Sequence, residues 1–264
     1  MSVKNPLLTL GGCRIATRCV LLSLLGAFVS ACAGTAGPSQ AINDPDEAHN
    51  RQIHEFNKGV DRAILRPASR AYSVLPDPVE RGVSNVAGNL DLPGDVVNSL
   101  LQGRPVAALE NTARFAVNTT IGIGGLFDPA RAMGLDGRQT DFGETLHVWG
   151  VSEGVYGEVP FLGPKTERDL VGTVVDVAMN PVRMILPTPE RTYATAIKAG
   201  SKLGDRARYS DTIDSVLYES ADSYAQTRLT HLQNRRFALG QNGGADDAFI
   251  DPYAADPYED FDAR

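Results

Sequence analysis

Residues 166–186 read TERDLVGTVVDVAMNPVRMIL, and the placement of this stretch decides the fold. Asp169, Asp176 and Arg183 stand seven residues apart, so on a helix they stay within about 20° per heptad of one line. Leu170, Val171, Val174, Val175, Val177, Ala178, Met179, Val182, Met184, Ile185 and Leu186 cover most of the remaining circumference. Pro181 lacks the N–H that a helix interior uses, and should kink it. An almost wholly apolar helix with a single charged stripe is either a buried central helix or one lying in a bilayer interface.

The flanking segments extend the helical reading. Ile53, Phe56, Val60 and Ile64 sit at helical spacing and predict a helix that ends near Arg66-Pro67. Pro78 opens a second helix with Val79, Val83, Val86 and Leu90 on one stripe; Pro93 should break or kink it before Val96, Val97, Leu100 and Leu101 carry it to Gly103. Pro105 opens a third through Val106, Leu109, Ala113, Ala116 and Val117. The stretch 115–127 (FAVNTTIGIGGLF) carries no charge and is too short to span a bilayer, which suits a buried, re-entrant or interfacial segment. Residues 142–163 (FGETLHVWGVSEGVYGEVPFLG) alternate aromatics with glycines and predict a mobile, hairpin-like loop rather than a helix; a Gly-rich surface loop of a soluble protein is the other reading. After Thr188-Pro189 a polar helical stretch runs to about Phe237, with a break expected at Gly200 and Gly204 and an apolar face of Ile213, Val216, Leu217, Ser220 and Tyr224. With no convincing strand–turn–strand series, the body is mainly α.

The N-terminus carries an address. Lys4, Arg14 and Arg18 precede the short apolar run 20–29, and Val29-Ser30-Ala31-Cys32 ends it, with no acid before Asp44. The pattern is an export signal rather than a spanning anchor, whose length would be about twice as great. Its end resembles a bacterial lipobox, in which Cys32 is acylated and becomes the mature N-terminus; cleavage nearby as an ordinary secreted protein is the alternative. Ala33 follows, where Asp would be the usual inner-membrane retention signal, so the resemblance implies the outer membrane. The expected organisation is a signal peptide at 1–31, a flexible tether at 32–44, a helical domain at 45–238 and an acidic, disordered tail at 239–264. Cys13 and Cys19 leave with the signal, so mature Cys32 has no partner for an internal disulfide. The same cleavage removes three cations and takes the formal charge from −7 to −10, which provides no electrostatic footprint for nucleic acid.

Catalytic motifs are weak. Gly150-Val151-Ser152-Glu153-Gly154 matches a nucleophile elbow, and Asp176 and His231 follow in hydrolase order. An elbow needs a strand before the serine and a helix after it, and the pentapeptide runs instead into Val-Tyr-Gly-Glu-Val-Pro. The glycines of 122–125 lack the last position of a dinucleotide fingerprint, and no phosphate loop follows. His49, His54, His147 and His231 share no metal-ligand spacing. No metal, cofactor or catalytic residue is expected.

These segments together resemble the MlaA (VacJ) lipoprotein family. The matching pieces are Asn50-Arg51 with Phe56-Asn57, Arg66-Pro67, Gly82-Val83-Ser84-Asn85 with Gly88-Asn89-Leu90, and 98–103 (NSLLQG). Arg114-Phe115 with Asn118-Thr119-Thr120, 122–128 (GIGGLFD), 141–146 (DFGETL), Trp149-Gly150-Val151, Gly154-Val155-Tyr156, Pro160 and Arg168-Asp169 complete them, in order across roughly 44–186. His49 departs from the pattern, where an aromatic is expected before Asn50. The resemblance implies a ring of amphipathic helices lying in the membrane around a central channel, with a Gly-rich hairpin that affects its opening. It implies a lipid-anchored, periplasm-facing protein that removes misplaced phospholipids from the outer leaflet and passes them to a soluble periplasmic carrier. A trimeric porin is the implied partner. On that reading Gly143, Trp149, Gly150, Gly154, Tyr156, Gly157 and Pro160 belong to the gating hairpin. Helices 105–120 and 166–186 form the membrane rim, where Val174 and Val175 meet lipid. Asp169, Asp176 and Arg183 either line the path or face periplasmic water. A structural porin-associated lipoprotein, and a lipid hydrolase using Ser152, are the competing functions.

Overall fold

The computed structural model of the chain describes residues 42–241; the expected signal peptide, Cys32 with most of the expected tether, and nearly all of the expected tail lie outside the described residues. Two compact units divide at Ser210/Asp211. The first contains nearly all of the predicted helices. Helix α1 (Glu47–Val60) runs through a π turn (Asp61–Leu65) into α2 (Arg66–Tyr72), past the end expected at Pro67. The widened turn, in which the Arg66 N–H reaches the Asp61 carbonyl five residues back, takes up the misfit that a proline ring creates against the preceding turn.

Helix α3 (Asp77–Leu101) continues through Pro93 without a break, and α4 (Pro105–Thr120) packs along it as the principal helix pair of this unit. A short α5 (Pro129–Ala132) follows, started by the Asp128 side chain, which accepts the Arg131 N–H. Helix α6 (Phe142–Val148) occupies the first third of the segment expected to be a loop. Asp141 explains the difference: its carboxylate accepts the Glu144 N–H and starts a helix that the glycine-rich composition concealed. The hairpin proper is short, with β1 (Tyr156–Val159) antiparallel to β2 (Gly163–Thr166) in the register Tyr156↔Thr166 and Val159↔Gly163.

Thr166 caps α7 (Glu167–Met179), which packs against α6. The two approach through glycine: a Cβ on Gly172 would collide with the backbone of Gly143. Pro181 does more than kink the helix. Asn180 adopts ψ 113°, and its side chain caps a separate α8 (Pro181–Ile185) by accepting the Arg183 N–H. Helix α9 (Thr188–Arg208) then runs unbroken through Gly200 and Gly204, which the sequence suggested as a break. Their lack of side chains serves packing instead, since a Cβ on Gly204 would press on the Tyr72 ring of α2.

Near the end of α9 the Arg206 guanidinium meets the Asp61 carboxylate through two hydrogen bonds of 2.9 Å, both residues being buried. The second unit, described by itself, follows α10 (Ser210–Asp214) with a π turn (Ser215–Glu219) and α11 (Ser223–Ala238). Extended Ser220 interrupts it, so Ile213 to Tyr224 do not form the single face expected. Arg228 lies over the Tyr224 ring at 5.1 Å.

Asp61→Asn leaves Arg206 buried without its counter-charge and should cost about 3–5 kcal/mol of stability. The measurement is denaturant unfolding of the variant in detergent; a midpoint equal to wild type would remove the pair from the determinants of the fold.

Candidate lipid-contact surface and polar interior

The interior of this chain is unusually polar, and several of its helix faces are unusually apolar. Among the described residues, nineteen buried side chains are polar or charged and nine are hydrophobic, while large apolar side chains crowd the exposed surface. The helices show how. Of the stripe expected along 53–64, Phe56 and, in the π turn, Ile64 are exposed while Ile53 and Val60 are half-buried; Asn50, His54 and, in the π turn, Asp61 are buried. On α4 Val106 and Leu109 are 78% and 71% exposed, whereas Ala108, Asn111 and Asn118 face inward. On α7 Leu170, Val171, Val174 and Val177 point outward. Scattered exposed leucines are ordinary on soluble proteins, but whole helix faces of them mark contact with another apolar phase.

Four inward-facing amides, three of them buried, hold backbone that lies outside the helices. Asn50 accepts the Glu158 N–H (3.0 Å) and donates to the Tyr156 carbonyl (3.3 Å). Asn57, seven residues on, accepts the Phe161 N–H (2.8 Å) and donates to the Val159 carbonyl (3.1 Å). Asn111 accepts from the N–H of Arg138 (2.9 Å) and donates to its carbonyl (2.8 Å). Asn118, again seven on, accepts the Ala130 N–H (3.1 Å) and donates to the Asp128 carboxylate (2.9 Å). Each asparagine thus uses both ends of its amide to hold a distant loop.

The hairpin is therefore attached to α1 along its length, and Tyr156 O–H and His54 both meet the Glu158 carboxylate, at 3.0 and 3.3 Å. Of the residues expected to form the gate, Tyr156, Gly157 and Pro160 lie in this hairpin, whereas Gly143 lies inside α6. Trp149 caps α6, stacks edge-on against Phe142 at 5.7 Å and donates its indole N–H to the Leu101 carbonyl at 3.0 Å, so its exposed ring offers only apolar surface. Gly150 and Gly154, at φ +86° and +74°, bracket the connection that carries Ser152. That connection leaves a helix and enters a strand, the reverse of a nucleophile elbow.

The expected charged line along 166–186 holds only in part. Asp169 is buried, and Asp176 accepts from Asn98 (2.9 Å) and from the Phe142 N–H (3.0 Å). Arg183 lies beyond the break at Asn180 and is exposed. Val174 and Val175 also part company, at 61% and 9% exposed.

Between the Ser84–Asp95 face of α3, Arg114 and Asn118 of α4, Asp128 and the 136–139 loop lies a polar cavity of about 180 Å³. Burial pushes Asp95 on its wall up to about 7, aided by Asp91 and Asp176 and opposed by the Thr140 N–H and Lys198. Burial works in the same direction on nearby Glu144, but hydrogen bonds from Arg104, Arg138 and Thr140 outweigh it and hold that carboxyl below its usual range. Asp128 is likewise held low, burial being outweighed by Asn118, the Arg131 N–H and Arg114.

These features define a mainly helical protein whose first unit has a hydrogen-bonded polar interior and several helix faces of exposed apolar side chains, the polarity of a protein that sits among lipid. Among the described residues no helix is long and apolar enough to cross a membrane. A family model described as MlaA lipoprotein matches residues 42–238, and the chain belongs to that family. It is 34% identical over 228 residues to proteins of Shigella flexneri and Escherichia coli K12, each named intermembrane phospholipid transport system lipoprotein MlaA; the match covers 84% of this chain and 88% of theirs. A protein of the same name from Haemophilus influenzae is 34% identical over 232 residues, 91% of its length. A solved structure described as "Structural basis for maintenance of bacterial outer membrane lipid asymmetry" superposes with a TM-score of 0.64 at 33% identity, covering 74% of this chain and 98% of that one.

Two outcomes follow from the interior. Asn111→Asp sets a carboxylate oxygen against the Arg138 carbonyl at a fully buried position, and should cost about 2–4 kcal/mol in thermal or denaturant unfolding. Asp95 has a folded value above its unfolded one, so its stabilisation is complete below pH 4 and is lost as pH rises through 7. Asp95→Asn keeps an acceptor for Thr140 and should unfold like wild type at pH 4 but be more stable by roughly 2–4 kcal/mol at pH 8. Parallel pH profiles would contradict the burial argument.

Proposed function

We propose that the chain is the outer-membrane lipoprotein of a phospholipid transport system. It extracts misplaced phospholipids from the outer leaflet through an amphipathic channel and passes them to a soluble periplasmic carrier, which maintains lipid asymmetry. The observation that carries this reading is this polarity: helix faces of exposed Val, Leu and Ile around a polar, hydrogen-bonded interior. Each apolar side chain covered by lipid contributes about 1.5–3 kcal/mol, so α4, α7 and α8 hold the body in the outer membrane as a ring of interfacial helices, alongside the acyl chains on Cys32.

Transport on this reading is passive and non-enzymatic. A head group follows polar side chains while its acyl chains stay in apolar surroundings, and no bond is made or broken. Asp169 and Asp176 belong to the polar interior, and Arg183 to the aqueous side. The segment from Trp149 to Pro160 gates the channel, with Gly150 and Gly154 supplying backbone conformations that other residues adopt at a cost. The protein works beside a trimeric porin, whose barrel provides a flank for the ring.

The test is outer-leaflet phospholipid in cells lacking the protein, complemented by variants. Deletion should raise surface phospholipid, and Ser152→Ala should restore asymmetry as well as wild type; rescue by wild type alone would put a hydrolase in its place. Val174→Asp places a charge on the lipid face at about 2–3 kcal/mol, and should weaken membrane retention while the protein still folds in detergent. Val175→Asp should instead prevent folding, because Val175 is buried. Gly150→Val strains the gate without a steric collision and should slow lipid removal; unchanged surface phospholipid would remove the gating role.

A further inference from the structure

We propose that the polar cavity between α3, α4 and the 128–139 loop receives the primary ammonium of an ethanolamine-type phospholipid head group, with Asp95 and Asp136 as its counter-charges. This deepens the transport reading and rests on it. The cations on the cavity wall are already engaged. Arg114 bonds the Asp128 carboxylate at 2.8 Å and the Leu135 carbonyl, and Arg138 bonds Glu144 at 2.7 Å. Asp128 has both oxygens occupied, one by Arg114 and the other by Asn118 and the Arg131 N–H.

What remains is a set of acceptors. Asp95 takes one hydrogen bond, from the Thr140 N–H at 3.1 Å, and neither Asp95 nor Asp136 enters an ion pair among the described residues. Asn89, 5% exposed and on the same wall, has an amide oxygen with no hydrogen-bond partner. Unmatched carboxyl and amide acceptors, one of them a carboxyl that burial keeps from ionising for want of a partner, call for a cation that carries N–H donors. Among the described residues no three His, Cys, Asp or Glu side chains converge as a metal cage, so the chemistry suits an ammonium better than a divalent ion. The cavity, about 180 Å³, far exceeds the ~10–15 Å³ that admits one water, and is open enough for a head group.

The mature acylated chain in nanodiscs of phosphatidylethanolamine, phosphatidylglycerol and phosphatidylcholine in equal parts provides the test, with the lipids it retains on extraction counted by mass spectrometry. Phosphatidylcholine bears the same positive charge without an N–H, so it isolates the hydrogen bonds. We expect phosphatidylethanolamine enriched about fivefold over phosphatidylcholine, equivalent to about 1 kcal/mol, with the ratio returning to input in Asp95→Asn and in the loop variant Asp136→Asn. Lipids retained in input proportion, or an enrichment that survives both variants, would overturn the ammonium site and leave the transport reading standing. No retained lipid would overturn both. Displacement of phosphatidylethanolamine by an equal concentration of free ethanolamine would assign the cavity to a soluble amine and overturn the lipid-borne source.

Discussion

Irregular backbone away from water must still hydrogen-bond, and in this chain asparagine side chains answer that demand. An amide presents a donor and an acceptor side by side, the same pair that a strand edge would offer. Asn50 and Asn57 therefore act on the hairpin as a third strand would, and Asn111 holds both polar groups of Arg138. Helices α1 and α4 satisfy most of their own backbone through their i→i−4 ladders. They serve as rigid rods from which the amides reach out. Remove those amides and the loops that build the cavity and the hairpin lose their positions together.

The remaining interior follows the same economy of paired charges. Glu144 gathers Arg104, Arg138 and Thr140, and Asp128 gathers Arg114 and Asn118, so most carboxylates inside are matched. Asp95 is the conspicuous departure, held by a single backbone N–H and pushed toward neutrality. Glycine contributes where side chains would not fit: the Gly143–Gly172 contact brings α6 against α7 closely enough for Phe142 N–H to reach Asp176. Packing and polar pairing therefore depend on each other, and neither is arranged around a hydrophobic centre.

Much of the helical framework was legible in the chain. The prolines at 78 and 105 marked helix starts, and the apolar spacing along 105–117 followed α4, whereas the spacing along 166–186 ran on past the break at Asn180 that ends α7. Direction was harder to read, because periodicity identifies a face without saying which phase it meets. The stripes expected along 53–64 and 106–117 turned outward only in part: Phe56, Ile64, Val106, Leu109 and Ala116 are exposed, whereas Ile53, Val60, Ala113 and Val117 are half-buried. Helix α6 was hidden by its glycine and by the aromatics around it, though Asp141 followed three residues later by Glu144 is a capping signal. The clamps were legible in retrospect: Asn50 and Asn57, like Asn111 and Asn118, are two helical turns apart, a polar line inside otherwise apolar spacing. Gly200 and Gly204 misled for the opposite reason, since the partner that needed their bareness, Tyr72, lies far away in sequence.

The outward-facing Val, Leu and Ile also alter how the molecule responds to temperature. A water-soluble domain gains about 12–15 cal/mol/K of heat capacity per residue on unfolding, because hidden hydrocarbon becomes hydrated. Here the folded state already presents that hydrocarbon at its surface and hides amides and carboxylates, whose exposure lowers heat capacity. With the lipid contribution held constant, the increment should be small and the stability curve correspondingly shallow. Such a protein loses little of its hold on cooling, because the forces that define its inside are hydrogen bonds and ion pairs rather than the ordering of water around oil.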